Sequence, residues 1–191
     1  MPNYCENTIC LEGPPSKIKE IYEQHKKTGT FLEILYPPPE NMIRGNLSSE
    51  MEKVSRETGV PNWFDWQSEN WGTKWDITGD DLRYEELDDD WARISGHFLT
   101  AWSPPIKAYD EFLKNNKDCC LEAKYFEPGC CFAGEYENGE DEYYDYGSGT
   151  KGEIAEFGMP KQLIDEFGIL DYYDSSSEEE EAPDLLPSSE E

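Results

Sequence analysis

Six cysteines and two histidines have the widest chemical repertoire in this chain, and their spacing limits what they can do. Four of the thiols come as adjacent pairs, Cys119-Cys120 and Cys130-Cys131, on two stretches that pattern as neighbouring strands. Successive strand residues face opposite sides, so at most one thiol of each pair shares a side and four thiolates cannot converge. The C-x2–4-C spacing of zinc sites is absent. Cys5 and Cys10 differ in parity along an earlier strand, which separates them too. The opening Met1-Pro2-Asn3-Tyr4-Cys5-Glu6-Asn7 lacks a basic region followed by an apolar run, so no secretory leader is expected and the thiols are read as reduced, small buried hydrophobes. No metal and no cofactor is expected.

His25 falls on a helical face and His97 in a strand, each without a partner motif. H-E-x-x-H, G-x-S-x-G, the P-loop pattern, and a G-x-G-x-x-G between strand and helix are all missing. Glu135, Glu137, Glu140, Asp141, Glu142 and Asp145 are dense enough to attract divalent cations diffusely. They lack the residue order that wraps a calcium ion. The chain is therefore not expected to be an enzyme.

The carboxylates themselves remain. Forty-three Asp and Glu against 16 Lys and Arg leave 191 residues with a formal charge of −27. Residues 171–191 hold nine acids and no base, so residues 1–170 still carry −18. A folded body of that length is about 40 Å across, and duplex DNA carries about 24 charges over the same distance. Self-repulsion on this scale opposes compaction, which suggests that the acids are used. A solvated, solubility-giving surface and halophilic adaptation are the blander accounts. Acids interleaved with tyrosines, as in Glu142-Tyr143-Tyr144-Asp145-Tyr146, suit a protein interface in which carboxylates meet Arg and Lys while Tyr supplies rigid area. The expected partner-binding residues are Asp88, Asp89, Asp90, Glu140, Asp141, Glu142 and Asp145, with Tyr143 and Tyr144 as contacts. Direct nucleic-acid or membrane binding is not expected of so acidic a chain.

These residues need a scaffold, and the apolar pattern supplies one. Aromatic residues make up 14% of the chain, far more than acidic disordered chains hold. Tyr4–Leu11 reads as a strand. Ile18, Ile21, Tyr22 and His25 recur at helical spacing from Ser16 to Lys27, with Gly29 as a stop. The apolar run Phe31–Tyr36 closes at Pro37-Pro38-Pro39. A weak helix runs from Ser48 to Thr58, then the aromatic-dense Trp63–Trp75, then an acidic insert over Asp80–Asp90. Arg93–Trp102 reads as a strand, followed by a helix with Ser103 as N-cap and Pro104 at its first position. Ile106, Tyr109, Phe112 and Leu113 form that helix's apolar face. Cys119–Phe126, Cys130–Tyr136 and Asp141–Tyr146 read as strands, with the last two forming an acidic hairpin near 135–146, and Pro160–Phe167 as a short helix. From Asp171 the Ser/Glu/Asp composition predicts a disordered acidic tail, with Leu185-Leu186 as its one apolar docking element. The order predicts an α+β, ferredoxin-like split βαβ antiparallel sheet with helices on one face, in a single domain over residues 1–170. Trp71, Trp75 and Trp102 serve either as core or as an exposed aromatic groove, and Lys74 is placed to reach Asp76.

Four short blocks carry a resemblance. Pro2-Asn3-Tyr4-Cys5-Glu6-Asn7, Asn70-Trp71-Gly72-Thr73-Lys74-Trp75-Asp76, Thr100-Ala101-Trp102-Ser103-Pro104-Pro105, and Glu127-Pro128-Gly129 with Phe132-Ala133-Gly134 resemble the YubB ferredoxin-like domain family of plasmids and phages. The resemblance implies a ferredoxin-like fold and a mobile-element origin, and it brings no catalytic residues. Together with the charge, it leads to the expectation of a phage protein acting in the host cytoplasm. Such a protein would block a basic nucleic-acid-binding partner, such as a restriction or CRISPR nuclease, as a DNA mimic. The alternatives are an accessory domain whose acidity serves only solubility, and a metal protein or enzyme.

Overall fold

Burial alternates strictly along Tyr4–Gly13: Cys5, Asn7, Ile9 and Leu11 are buried, while Tyr4, Glu6, Thr8 and Cys10 face the other way. This ten-residue strand, β1, is an inner strand of a six-stranded antiparallel sheet in the computed structural model, which describes residues 3–147, 154 and 157–172. The sheet order is β2 (Arg83–Glu86), β3 (Ala92–Ala101), β1, β4 (Cys120–Glu127), β5 (Phe132–Glu137) and β6 (Glu140–Asp145). The first four strands in that order form the split βαβ arrangement, and β5 and β6 extend it as a meander.

Two helices cover the inner face. α1 (Pro15–Thr28) buries Ile18, Ile21 and His25, and ends at Gly29, whose N–H returns to the carbonyl of His25. α5 (Ile106–Asn115) buries Ala108, Tyr109, Phe112 and Leu113. With Ile9, Leu11, Ile94, Leu121, Ala123 and Tyr136 from the sheet they make one continuous core. Between α1 and the sheet's second strand lie α2 (Leu32–Leu35), α3 (Ser49–Thr58) and α4 (Trp63–Asn70). The chain divides into two compact units, Met1–Asp145 and Tyr146–Glu191. In the second, α6 (Lys161–Phe167) buries Leu163 and ends at Gly168. The acidic tail expected from Asp171 lies, from residue 173 onward and including Leu185-Leu186, outside the described residues.

Two expectations change, and one run without an assigned element gains one. Phe31–Tyr36, read only as an apolar run, is a helical turn, because the Asp76 carboxylate accepts the N–H groups of Phe31, Leu32 and Glu33 at 2.8, 2.9 and 3.0 Å. An acceptor at the start of a turn satisfies the donors that a helix leaves open. The second strand sits inside the acidic segment Asp80–Asp90, which is therefore a pairing element of the motif, with Tyr84 opposite Ile94 and Glu85 opposite Arg93. Ser103 does not cap the following helix: its hydroxyl donates to the carbonyl of Gly72, and α5 begins later, behind Pro105, with no side-chain cap.

The tryptophans divide between core and surface. Trp71 is fully buried, packs edge-on to Trp66 at 5.8 Å and donates its indole N–H to the carbonyl of Tyr36 at 2.8 Å. Trp102 is half exposed. Within the meander, Gly134 is bare for a reason: a Cβ there would lie 2.2 Å from the Tyr125 hydroxyl oxygen. Tyr125 crosses over β5 at that gap and donates to Asp141 on β6 at 2.7 Å.

Candidate functional site

The period of the strands decides where the acids point. On the face turned away from α1 and α5, β1 carries Glu6 and Glu12, β2 carries Glu85, β4 carries Glu122, β5 carries Glu135 and Glu137, and β6 carries Glu140 and Glu142. Arg83, Arg93 and Lys124 are the basic residues of the same parity. Arg93 reaches Glu12 at 3.8 Å and Glu85 at 3.2 Å, and Lys124 reaches Glu135 at 4.0 Å. Glu122, Glu137 and Glu140 lie side by side on three neighbouring strands, all exposed and without an ion pair among the described residues. Adjacent strands are about 4.8 Å apart, and like charges directly opposite one another destabilise a sheet. The outer face is not bare throughout, since Phe126 and Ala133 share its parity and are buried.

The residues singled out from density alone are only partly brought together. Glu140 and Glu142 belong to this outer face, with Tyr144 beside them. Asp141, Tyr143 and Asp145 have the opposite parity: Asp141 takes the Tyr125 hydroxyl, and the Tyr143 ring lies 5.3 Å from Phe132. Asp88, Asp89 and Asp90 form the β2–β3 turn at the other edge of the sheet, five strand spacings or roughly 24 Å away. There Asp88 accepts the N–H groups of Asp90 and Trp91, both at 2.8 Å, so one of the three carboxylates builds the turn itself. Glu6, Glu12 and Glu122 were missed because they are isolated in the sequence; alternation along β1 and β4 was the signal that places them.

A second site forms where two of the sequence blocks meet. The Thr73 hydroxyl donates to the carbonyl of Ala101 at 2.9 Å and accepts the Ala101 N–H at 3.1 Å, which pins the loop after α4 to the end of β3. Ser103 adds its bond to the Gly72 carbonyl. Gly72 has φ of 88°, and a Cβ on it would crowd the Pro104 carbonyl oxygen at 3.3 Å, so a side chain there is disfavoured on both counts. Between these segments is a cavity of about 290 Å³ lined in part by Phe64, Thr73, Lys74 and Trp102. Lys74 does not reach Asp76, whose carboxylate is occupied by main-chain donors. Its ammonium lies instead 4.8 Å from the Trp75 ring centre and 5.6 Å from that of Phe64.

The histidines have partners that no motif announced. His25 is buried against Asp80, and His97 stands 3.8 Å from Asp81. Burial pushes the Cys5 thiol far up, and pushes that of Cys119 up to about 11. Among the described residues no group of three His, Cys, Asp or Glu could hold a metal ion, and no helix is long and apolar enough to cross a membrane.

The strand order and the two covering helices define a ferredoxin-like α+β protein. Residues 70–166 match the family described as the ferredoxin-like domain in Api92-like protein, and the chain belongs to that family. The matched span includes three of the four sequence blocks. The description is Api92-like, where the resemblance read from the sequence was to YubB; the ferredoxin-like class is common to both. Among solved structures the chain is similar to the protein api92 from Yersinia pseudotuberculosis, with 12% identity over 78% of this chain and 99% of that one, at a TM-score of 0.43. No curated protein matches.

Proposed function

We propose that this protein is an acidic binding module of a mobile element, of phage origin and akin to the YubB group, that occupies the nucleic-acid groove of a basic host protein. A defence nuclease of the restriction or CRISPR type is the target class, reached in the host cytoplasm, and the module itself performs no catalysis. The observation that supports this reading is the row Glu122–Glu137–Glu140, which has no ion pair among the described residues and is continued by Glu142 on the outer sheet face. A row of like charges costs folding stability, and a partner's Arg and Lys would relieve that cost on docking. Charge complementarity would then speed association, while desolvated contacts such as Tyr144 would slow release. The face differs from the one expected from acid density: Asp88, Asp89 and Asp90 stand at the far edge and form at most its rim.

Affinity capture from host lysate at low and moderate salt, with mass spectrometry of what is retained, tests the reading. The captured protein is expected to be basic, to bind DNA or RNA, and to lose that nucleic acid when the acidic chain is added. Replacing Glu122, Glu137 and Glu140 together by Gln is expected to abolish capture while leaving the melting temperature unchanged or higher. Retention of no basic nucleic-acid-binding protein at either salt overturns it. Undiminished capture by the triple variant assigns the acidity to solubility instead.

A further inference from the structure

The cavity beside Trp102 has a construction that the anionic face does not use. We propose that it is a binding site for a small planar aromatic molecule bearing a single anionic group, such as an aromatic carboxylate. Three features carry this. Trp102 has φ of 75°, a left-handed backbone conformation that strains a bulky residue. Its main-chain N–H is held by the carbonyl of Asn3 at 3.0 Å, yet the residue is 50% exposed, so full core burial does not offset the strain. The strained backbone therefore holds a large aromatic face at the rim of a cavity, where Phe64 supplies a second ring. Aromatic faces of this kind select flat partners.

Lys74 supplies the charge preference. In a chain with 43 carboxylates its ammonium makes no ion pair and no hydrogen bond among the described residues, and is steadied only by the faces of Trp75 and Phe64. Its three N–H donors are thus available to a ligand in the cavity it lines. The Ser103 hydroxyl, already donating to Gly72, has lone pairs left to accept a ligand N–H. A net charge of −27 repels polyanions, which excludes nucleic acid and leaves a compact body with one negative charge as the ligand that fits both the cavity and the field around it.

Titration of the full-length, isotope-labelled protein with indole-3-acetate, and separately with its neutral amide, tests this by following the six indole N–H signals. Saturable shifts are expected at Trp102, with smaller ones at the Thr73 and Lys74 amides, and none at the buried indole of Trp71. The acid should bind at least roughly tenfold more tightly than the amide, the value of one charge-assisted hydrogen bond. Lys74→Met should erase that preference, and Trp102→Ala should remove binding of both. Equal affinity for acid and amide, a Lys74→Met variant that keeps the preference, or shifts scattered away from the cavity each overturn the proposal. None of these readouts depends on the outer sheet face, so its fate and that of the anionic interface are separable.

Discussion

His25 and Asp80 form a partly buried link between the first helix and the segment leading into the second strand: the Nε2 atom lies 2.9 Å from the carboxylate, while Nδ1 lies 3.1 Å from the carbonyl of Thr30. The ring sits between two acceptors, and Phe31 packs edge-on against it at 5.7 Å. Removing the carboxylate leaves a buried ring nitrogen without its partner. Asp80→Ala is expected to lower unfolding free energy by about 1.5–3 kcal/mol, read from the midpoint of urea denaturation. Asp80→Asn, which keeps an acceptor oxygen, is expected to lose less than the alanine variant.

Asp76 holds the region around α2 by a different device. One carboxylate accepts four main-chain N–H groups, those of Phe31, Leu32, Glu33 and Ile77. Asp76→Ala should cost about 2–4 kcal/mol, since several partly buried donors lose their acceptor at once. Thermal unfolding should shift down by roughly 5–15 °C at about 2–4 °C per kcal/mol for a chain of this size. An unchanged midpoint would mean that water replaces the carboxylate at no cost.

How far the sequence could be read depended on how local each signal was. Elements marked by their own residues were legible: the alternation in Tyr4–Gly13, the Ile18/Ile21/His25 spacing of α1 and the Tyr109/Phe112/Leu113 face of α5 all follow from period and stop signals. The errors came where a distant side chain overrides local preference. Phe31–Tyr36 has strand-like composition, yet Asp76, more than forty residues away in sequence, folds it into a helical turn. Ser103 has capping chemistry, yet Gly72 takes its hydroxyl. Arg83–Glu86 was hidden because two of its four residues are glutamate, which is tolerated on an edge strand with one solvated face. For the site, acid density picked out Asp88–Asp90 and the β6 segment. Only strand pairing reveals that these lie at opposite edges and that Glu122 joins Glu137 and Glu140.

Adjacent cysteines that face opposite ways differ in reactivity. Cys119 is buried, with its thiol pushed up to about 11 by burial, while Cys120 is exposed on the outer face. Cys130 is exposed too, but the neighbouring Glu127 carboxylate raises its thiol above the usual range. Because the thiolate is the reactive form, native labelling with a maleimide at neutral pH should modify Cys120 first and Cys130 more slowly. Cys5 and Cys119 should react only on unfolding. Peptide mapping after timed quenching checks the order, and early modification of Cys5 would contradict the buried position of β1's first inward residue.

Asp141 offers a test of the meander through pH. Burial raises its carboxyl above the ordinary value, and the Tyr125 hydroxyl bond pulls the other way without cancelling the effect. A carboxyl raised in the folded state binds its proton more tightly there than in the unfolded chain. Its contribution is therefore fully present below the unfolded value and is lost as pH rises through the folded one. Wild-type protein should accordingly lose stability relative to Asp141→Asn as pH rises above the ordinary carboxylate value of about 4, the asparagine retaining an oxygen for Tyr125. Tyr125→Phe removes the one interaction that lowers the carboxyl, so the loss of stability with rising pH should steepen in that variant. Urea midpoints at four or five pH values distinguish the three proteins. Parallel curves would place Asp141 in water and break the link between Tyr125, the gap at Gly134 and the last strand of the sheet.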